Sequence, residues 1–441
     1  MEGQIKTLLQ EKLADSLAAS VPPLTRREIQ LPAVPGKAFA VVGMRRSGKT
    51  SYLWQCLGDR LAAGRTRESL VPLNFEDDRL SGMDASGLAF LVEEYFRLFP
   101  GQRDEALTTF LFDEIQIIPG WETFARRLLD SERIELFLSG SSASMLSREV
   151  ATSMRGRAME VTVFPFSFRE ALAHAGHLPD KVGATLPKAR RSALEHAFRN
   201  YLATGGFPEA QGLAVRDRAA QLRSYVDVAV LRDVIERHEV SNPVALRWLQ
   251  RHLLGSPASL FSIQKFYDSL RRQGISVAKD TLHAYLGHLE DAFLIRTVSL
   301  HTASERQRMV NPRKAYPIDP GLIPVYERTG HANLGQALET VVLIELLRRG
   351  YEVHYVRTPK GLEIDFHARD DAGSTLLIQV CADATDPATL DREIRALAEM
   401  IPLYPKAEPL LLTLDPHPPT AALPPGVQWR SAIGWLLSPG A

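Results

Sequence analysis

The sequence predicts an α/β protein whose first part is a parallel sheet with helical crossovers. Three observations carry this. Short apolar runs alternate with helix-period segments from about residue 37 to 170. One run opens directly into Gly-Met-Arg-Arg-Ser-Gly-Lys-Thr at 43–50, which fits G-x-x-x-x-G-K-[ST]. Another, TTFLFDE at 108–114, ends in two acids.

The elements follow in order. Residues 37–42 (KAFAVV) read as a buried strand. The loop after it has the spacing of a phosphate cradle: Gly43 and Gly48 give the dihedrals and the room for backbone N–H groups to converge. Met44, Arg45, Arg46 and Ser47 complete the loop, Lys49 places a charge on the β/γ-phosphates, and the Thr50 hydroxyl ligates Mg²⁺. Residues 50–63 read as a helix with Leu53, Leu57 and Leu61 on one face. Its first turn, with Ser51, points its dipole at the anion. Strands are expected at 70–75, 108–114, 134–138 and 158–164, with helices at 88–99 and 121–130 between them. Five β elements with crossovers form a parallel sheet that binds ligands at its strand C-termini. There Asp113 is assigned to the Mg²⁺ shell and Glu114 to orienting an attacking water.

From residue 171 strand character disappears. Helical spacing through 196–203 and 225–235, broken by Gly205-Gly206-Phe207-Pro208, reads as a helical lid at 171–254. A helix, turn, helix, strand order follows at 256–298, a winged-helix-like pattern within 255–330. Arg296, Arg306, Arg308, Arg313 and Lys314 then stand against a single acid, Glu305, a local excess suited to DNA phosphates. Residues 331–415 read as a separate small α/β domain, 416–441 as a C-terminal tail that begins with a Pro-rich loop at 416–425, and 1–35 as an N-terminal helical segment, amphipathic over 1–20.

The 441 residues suffice for about three domains, and 45% hydrophobic with 24% charged content is ordinary for a globular chain. Lys plus Arg and Asp plus Glu are both 52, so no global field draws the chain to nucleic acid or membrane. Two cysteines exclude a disulfide framework and a Cys-based zinc site and suit the cytoplasm. No apolar run is long enough to span a membrane.

Together, GMRRSGKT (43–50), FLFDEIQ (110–116), LSGSS (138–142), RGR (155–157), FPFSFREAL (164–172), GGFPEA (205–210), HLEDAFLI (288–295), LGQALE (334–339) and EIDF (363–366) resemble the prokaryotic ATPases that join an AAA-type domain to a C-terminal DUF4143 domain. The resemblance implies an AAA+-like ATPase core at 36–170. It also implies Ser139, with Ser141, as a γ-phosphate sensor, and Arg155 and Arg157 as arginine fingers of a homo-oligomer or as salt-bridge residues within one subunit. Arg232-Asp233 is a further candidate sensor of nucleotide. The C-terminal domain resembles the PD-(D/E)xK nuclease fold, with Glu339, Asp365 and Gln379 in three of its four places and Cys381 where the lysine belongs. A thiol cannot supply that charge, and Lys360, in a nearby loop, is the candidate substitute. The expected function is an ATP-binding, ATP-hydrolysing switch using Mg²⁺. An ATP-regulated nuclease and a nucleotide-holding scaffold are the alternatives.

Overall fold

The computed structural model of the protein describes residues 2–104, 106–140, 156–179, 187–327, 333–358 and 360–438. The chain divides into two compact units, Met1–Phe164 and Pro165–Ala441.

The first unit holds five strands: β1 (Ala38–Val42), β2 (Leu70–Asn74), β3 (Thr108–Asp113), β4 (Ile134–Gly140) and β5 (Ala158–Thr162). Their order is β2-β3-β4-β1-β5, and every neighbouring pair is parallel. β1 and β3 are buried along their whole length, because helices cover both faces of a parallel sheet. Phe39, Val41, Leu111, Phe137 and Val161 form a core with Tyr52, Leu53 and Leu57 of the helix Lys49–Ala62. Burial of each such side chain stabilises by about 1.5–3 kcal/mol. The register brings the C-terminal ends of four strands to one edge: Val42 pairs with Gly140, Phe112 with Leu138, and Asn74 with Asp113. The N-terminal segment forms a helix, Glu2–Ala18, that packs on β2 and on the helix Ala85–Leu98.

In the second unit, Ser167 and Glu170 form a reciprocal capping box that starts the helix Phe168–His174. The Phe166 N–H donates to the Gly206 carbonyl at 2.7 Å. A Cβ on Gly206 would strike the Phe166 backbone. The FPFSFREAL and GGFPEA stretches are thus two halves of one packed junction. Asp319 completes it, accepting the Gly206 and Gly321 N–H groups at 2.6 and 2.9 Å. The region read as a lid is helical, with Lys188–Thr204, Val215–Val228 and a wider-wound turn over Ala229–Glu236. After the helices Ile263–Arg272 and Lys279–Asp291 comes a small sheet of β6 (Leu260–Phe261), β7 (Ile295–Val298) and β8 (Arg313–Pro317), in the order β6-β8-β7.

The last sheet contains β9 (Glu352–Arg357), β10 (Glu363–Arg369), β11 (Thr375–Cys381), β12 (Ala407–Thr413) and β13 (Gln428–Ser431), in the order β13-β12-β11-β10-β9. β9, β10 and β11 run antiparallel and β11, β12 and β13 parallel. The helix Leu334–Arg348 packs on it. The stretch read as a C-terminal tail is corrected. It supplies β13 and the helix Ala432–Leu437, whose Trp435, Leu436 and Leu437 are buried in the core of the unit.

Candidate nucleotide site and a second carboxylate cluster

The loop 43–50 has the backbone the glycine spacing demands. Gly43, Arg46 and Gly48 have φ of 151°, 67° and 101°, values that glycine reaches without strain and arginine does not. A Cβ on Gly43 would collide with the Val163 carbonyl oxygen and crowd Ser47 Oγ. The helix Lys49–Ala62 starts at Gly48 without a side-chain cap, so its first N–H groups face the concavity of the loop. Lys49 is 5% exposed, and its ammonium donates to the Gly43 and Met44 carbonyls at 3.0 and 3.2 Å. Met44 is buried, Arg45 reaches Glu76 at 3.8 Å and Ser51 is exposed on the helix. Ser47 Oγ is buried with no hydrogen-bond partner among the described residues.

Asp113 stands at the end of β3, 4% exposed. The Thr50 hydroxyl donates to its Oδ2 at 2.7 Å, the Asn74 amide to the same oxygen at 3.1 Å, and the Ser139 hydroxyl to Oδ1. Burial pushes its carboxyl above the usual 3.8, and the hydroxyls of Ser139 and Thr50 oppose that. Glu114 follows in the left-handed region at φ 55°, 9% exposed, and the Gln116 amide donates to its carboxylate. A non-glycine residue held there is strained. The residues fit a phosphate and Mg²⁺: the loop holds an orphaned buried hydroxyl and a glycine without room for a Cβ, and a hydroxyl and a carboxylate converge as hard oxygen donors.

Ser139, Arg157 and Arg232 are each engaged within the chain. Ser139 is fully buried, gives its proton to Asp113 and accepts the Glu114 N–H at 3.0 Å. Its one proton thus goes to Asp113 in this structure. Arg157 precedes β5, whose first residue Ala158 pairs with Ala38 at the start of β1. It thus lies at the sheet edge opposite the loop and is ion-paired with Asp130. Arg155 and Ser141 lie outside the described residues. Arg232 pairs with Glu236 on its own helix at 3.3 Å.

Two residues escaped the sequence reading. Asn74 was discoverable by lining up the ends of the parallel strands. Arg27 carried no motif. It is 3% exposed, donates to the Ser47 carbonyl at 2.9 Å and to the Phe164 carbonyl, and exchanges hydrogen bonds with Gln55 at 2.6 and 3.0 Å. It joins the loop, the helix behind it and the end of the first unit.

The second unit gathers its own acids. Glu339 on the helix Leu334–Arg348 meets Glu363 and Asp365 of β10, and Gln379 of β11 donates to Asp365 at 3.1 Å. The cation among them is Lys314 of β8, 2.8 Å from Glu339, 2.7 Å from Glu363 and 3.2 Å from Asp365. This corrects the expectation that Lys314 belongs to a DNA-facing run. Lys360 is also corrected: it is paired with Glu399 at 3.1 Å. Among the described residues no group of His, Cys, Asp and Glu has the arrangement of a metal site. No helix among them is long and apolar enough to cross a membrane.

A parallel sheet with a glycine-bound phosphate loop after its first strand, a helix running from that loop and an acid at the end of β3 define a P-loop domain of AAA type. Comparison agrees: residues 35–172 match the family described as an AAA domain, and residues 195–330 match a domain of unknown function, DUF8612, rather than DUF4143. The chain is 30% identical over 402 residues to the uncharacterized protein MJ1544 of Methanocaldococcus jannaschii, covering 90% of this chain and 86% of the relative. It is 30% identical over 341 residues to an uncharacterized protein of Haemophilus influenzae, covering 77% and 81%. The chain belongs to this family of AAA-domain proteins. Among solved structures it is similar to the Walker-type ATPase PABY2304 of Pyrococcus abyssi, at 16% identity and a TM-score of 0.41, over 74% of this chain and 95% of that one.

Proposed function

We propose that the protein binds ATP with Mg²⁺ at the 43–50 loop, hydrolyses it, and uses the nucleotide state as a switch. The observation that carries this is the meeting of the Thr50 hydroxyl and the Asp113 carboxylate at 2.7 Å, beside Lys49 and Glu114. When bound, the metal would supply charge neutralisation at the phosphates, with Thr50 and Asp113 as the residues that hold it. Lys49 then turns from the Gly43 and Met44 carbonyls toward the phosphates. Ser139 keeps Asp113 and the Glu114 backbone in place, and Glu114 accepts a hydrogen bond from the attacking water and so orients it.

The switch reading is supported by what the loop touches. Gly43 sits against the Val163 carbonyl, and Arg27 holds the Ser47 and Phe164 carbonyls together. A change of loop conformation is therefore felt at Phe164, where the chain passes into the second unit. That unit, whose helical and winged-helix-like part over residues 195–330 matches DUF8612, is read as the responder. DNA contact is no part of the proposal. Lys314 is buried, Arg308 pairs with Glu305 at 3.1 Å and Arg296 stacks on Phe293, so most of the basic run is committed within the chain.

Two variants test the reading. Lys49→Ala removes a charge-assisted phosphate contact of roughly 1.5–3 kcal/mol, so ATP affinity should fall about 10- to 150-fold by calorimetry. Unchanged affinity would remove the loop from the site. Glu114→Gln should keep that affinity and slow phosphate release by about 10²-fold. An unimpaired rate would leave Glu114 a structural residue.

A further inference from the structure

The fold that the C-terminal domain resembles uses its carboxylates to hold a divalent metal, and the residues here do not fit one. The place between the acids is filled by a side chain from outside that sheet. Lys314 comes from β8 of the three-stranded sheet and is 2% exposed. Its ammonium has three N–H donors. Three carboxylates receive it: Glu363 at 2.7 Å, Glu339 at 2.8 Å and Asp365 at 3.2 Å. Two of these acids have further partners. Tyr316, two residues on, donates its hydroxyl to the same Glu339 oxygen at 2.6 Å. The second Asp365 oxygen takes the Val380 N–H at 2.9 Å and the Gln379 amide at 3.1 Å.

Mg²⁺ needs near-octahedral oxygens at about 2.0–2.1 Å and keeps several waters. Here an ammonium already stands between the carboxylates and would repel a second cation at contact distance. We propose that Lys314 is a built-in cation that occupies this carboxylate site in place of a divalent metal. The lysine that Cys381 fails to provide in the β11 motif is present in space, but at the position of the metal rather than beside it. The cluster then serves to fasten β8 to β10 and to the helix Leu334–Arg348, and the adjoining cavity of about 640 Å³, lined by Glu339, Glu363, Asp365, Gln379, Cys381 and Glu393, is not a metal-dependent nuclease centre.

The test uses the full chain carrying Asp113→Asn, which silences the nucleotide-site carboxylate, and Mn²⁺ alone as the probe, without nucleotide. The parent should show no Mn²⁺ bound by electron paramagnetic resonance up to millimolar metal, and no shift of its melting temperature. Adding Lys314→Met should create one Mn²⁺ site, at least about tenfold tighter than anything in the parent. It should also create a melting temperature that rises with Mn²⁺, and a further Asp365→Asn should remove both. The proposal is overturned if Lys314→Met folds and gains no Mn²⁺ site. The parent decides alone if that variant does not fold: one Mn²⁺ bound to it and lost with Asp365→Asn would show that Lys314 does not exclude the metal, whereas no binding is the expected result.

Discussion

The two acid-bearing sites of this chain use the same ingredients to opposite ends. At the end of β3, Asp113 is held by neutral donors, the hydroxyls of Thr50 and Ser139 and the amide of Asn74, while the Lys49 ammonium rests on the carbonyls of Gly43 and Met44. In the second unit the Lys314 ammonium rests on the carboxylates themselves. Neutral donors orient a carboxylate without neutralising it, so the first site still attracts a cation. A buried ammonium both orients and neutralises, so the second does not. On the proposed reading, what separates a site prepared for chemistry from one that fastens the fold is where the lysine spends its charge, not which residue types are present.

The sharpest way to break this comparison is to delete the second lysine. Lys314→Met leaves three carboxylates together without their cation. Removing one partner of a buried ion pair costs about 3–5 kcal/mol, and urea unfolding of the variant near neutral pH should show a loss of that size. A loss under about 1 kcal/mol would mean that water, rather than Lys314, compensates the acids.

The same contrast governs what the sequence could reveal. Lys49, Thr50 and the turn-forming glycines are contiguous, so the loop is legible from spacing, and Asp113 and Glu114 are legible because a buried strand ends in them. The parallel sheet of the first unit follows from the same alternation. Lys314 is legible only as one charge in a basic stretch. Its partners stand 25 residues away at Glu339 and 51 away at Asp365, and no local periodicity links them. β8 was hidden for the same reason: its charged start masks a strand whose Lys314, Ala315 and Tyr316 are all buried. β13 and the helix Ala432–Leu437 were hidden behind a Pro-rich connection, and Arg27 sits in a segment without regular structure, where no periodicity marks a residue as internal. Ser139 was read correctly as a polar residue beside the acidic strand. The direction of its hydroxyl, toward Asp113, is a tertiary fact that spacing does not carry.

A second prediction sharpens the comparison through pH. One cation faces three carboxylates, so a proton on one of them relieves repulsion. Burial first, and the Asp365 charge next, push the Glu339 carboxyl up to about 7, with Lys314 opposing. The sign follows. Between the ordinary 4.5 and about 7 the folded protein holds a proton that the unfolded chain has released. This group therefore makes stability fall as pH rises through that window and level off above it, by up to about 1.4 kcal/mol per pH unit. Glu339→Gln should flatten the urea-derived stability profile by that slope between pH 5 and 7. An unchanged slope would place the proton elsewhere, with Asp319, whose carboxyl burial also pushes up to about 7, as the next group to replace.

The smallest effect tests the first site. Ser139→Ala leaves the Asp113 Oδ1 and the Glu114 N–H without their shared partner in a place with no exposure. An unsatisfied buried polar group costs about 1–3 kcal/mol, so some loss of stability is expected whatever Ser139 does. The informative readout is the split between binding and turnover. If Ser139 positions the two acids, the variant should bind ATP about as well as the parent, since the loop and Lys49 are untouched, but hydrolyse it more slowly and need more Mg²⁺ for half-maximal rate. Ser139→Thr keeps the hydroxyl and should recover most of the rate. If Ser139 instead contacts the terminal phosphate, Ser139→Ala should weaken ATP far more than ADP, and the Mg²⁺ requirement should stay where it was. The hydrogen bonds present, one given to Asp113 and one taken from Glu114, favour the first outcome, because a hydroxyl has a single proton to give and this one is already placed.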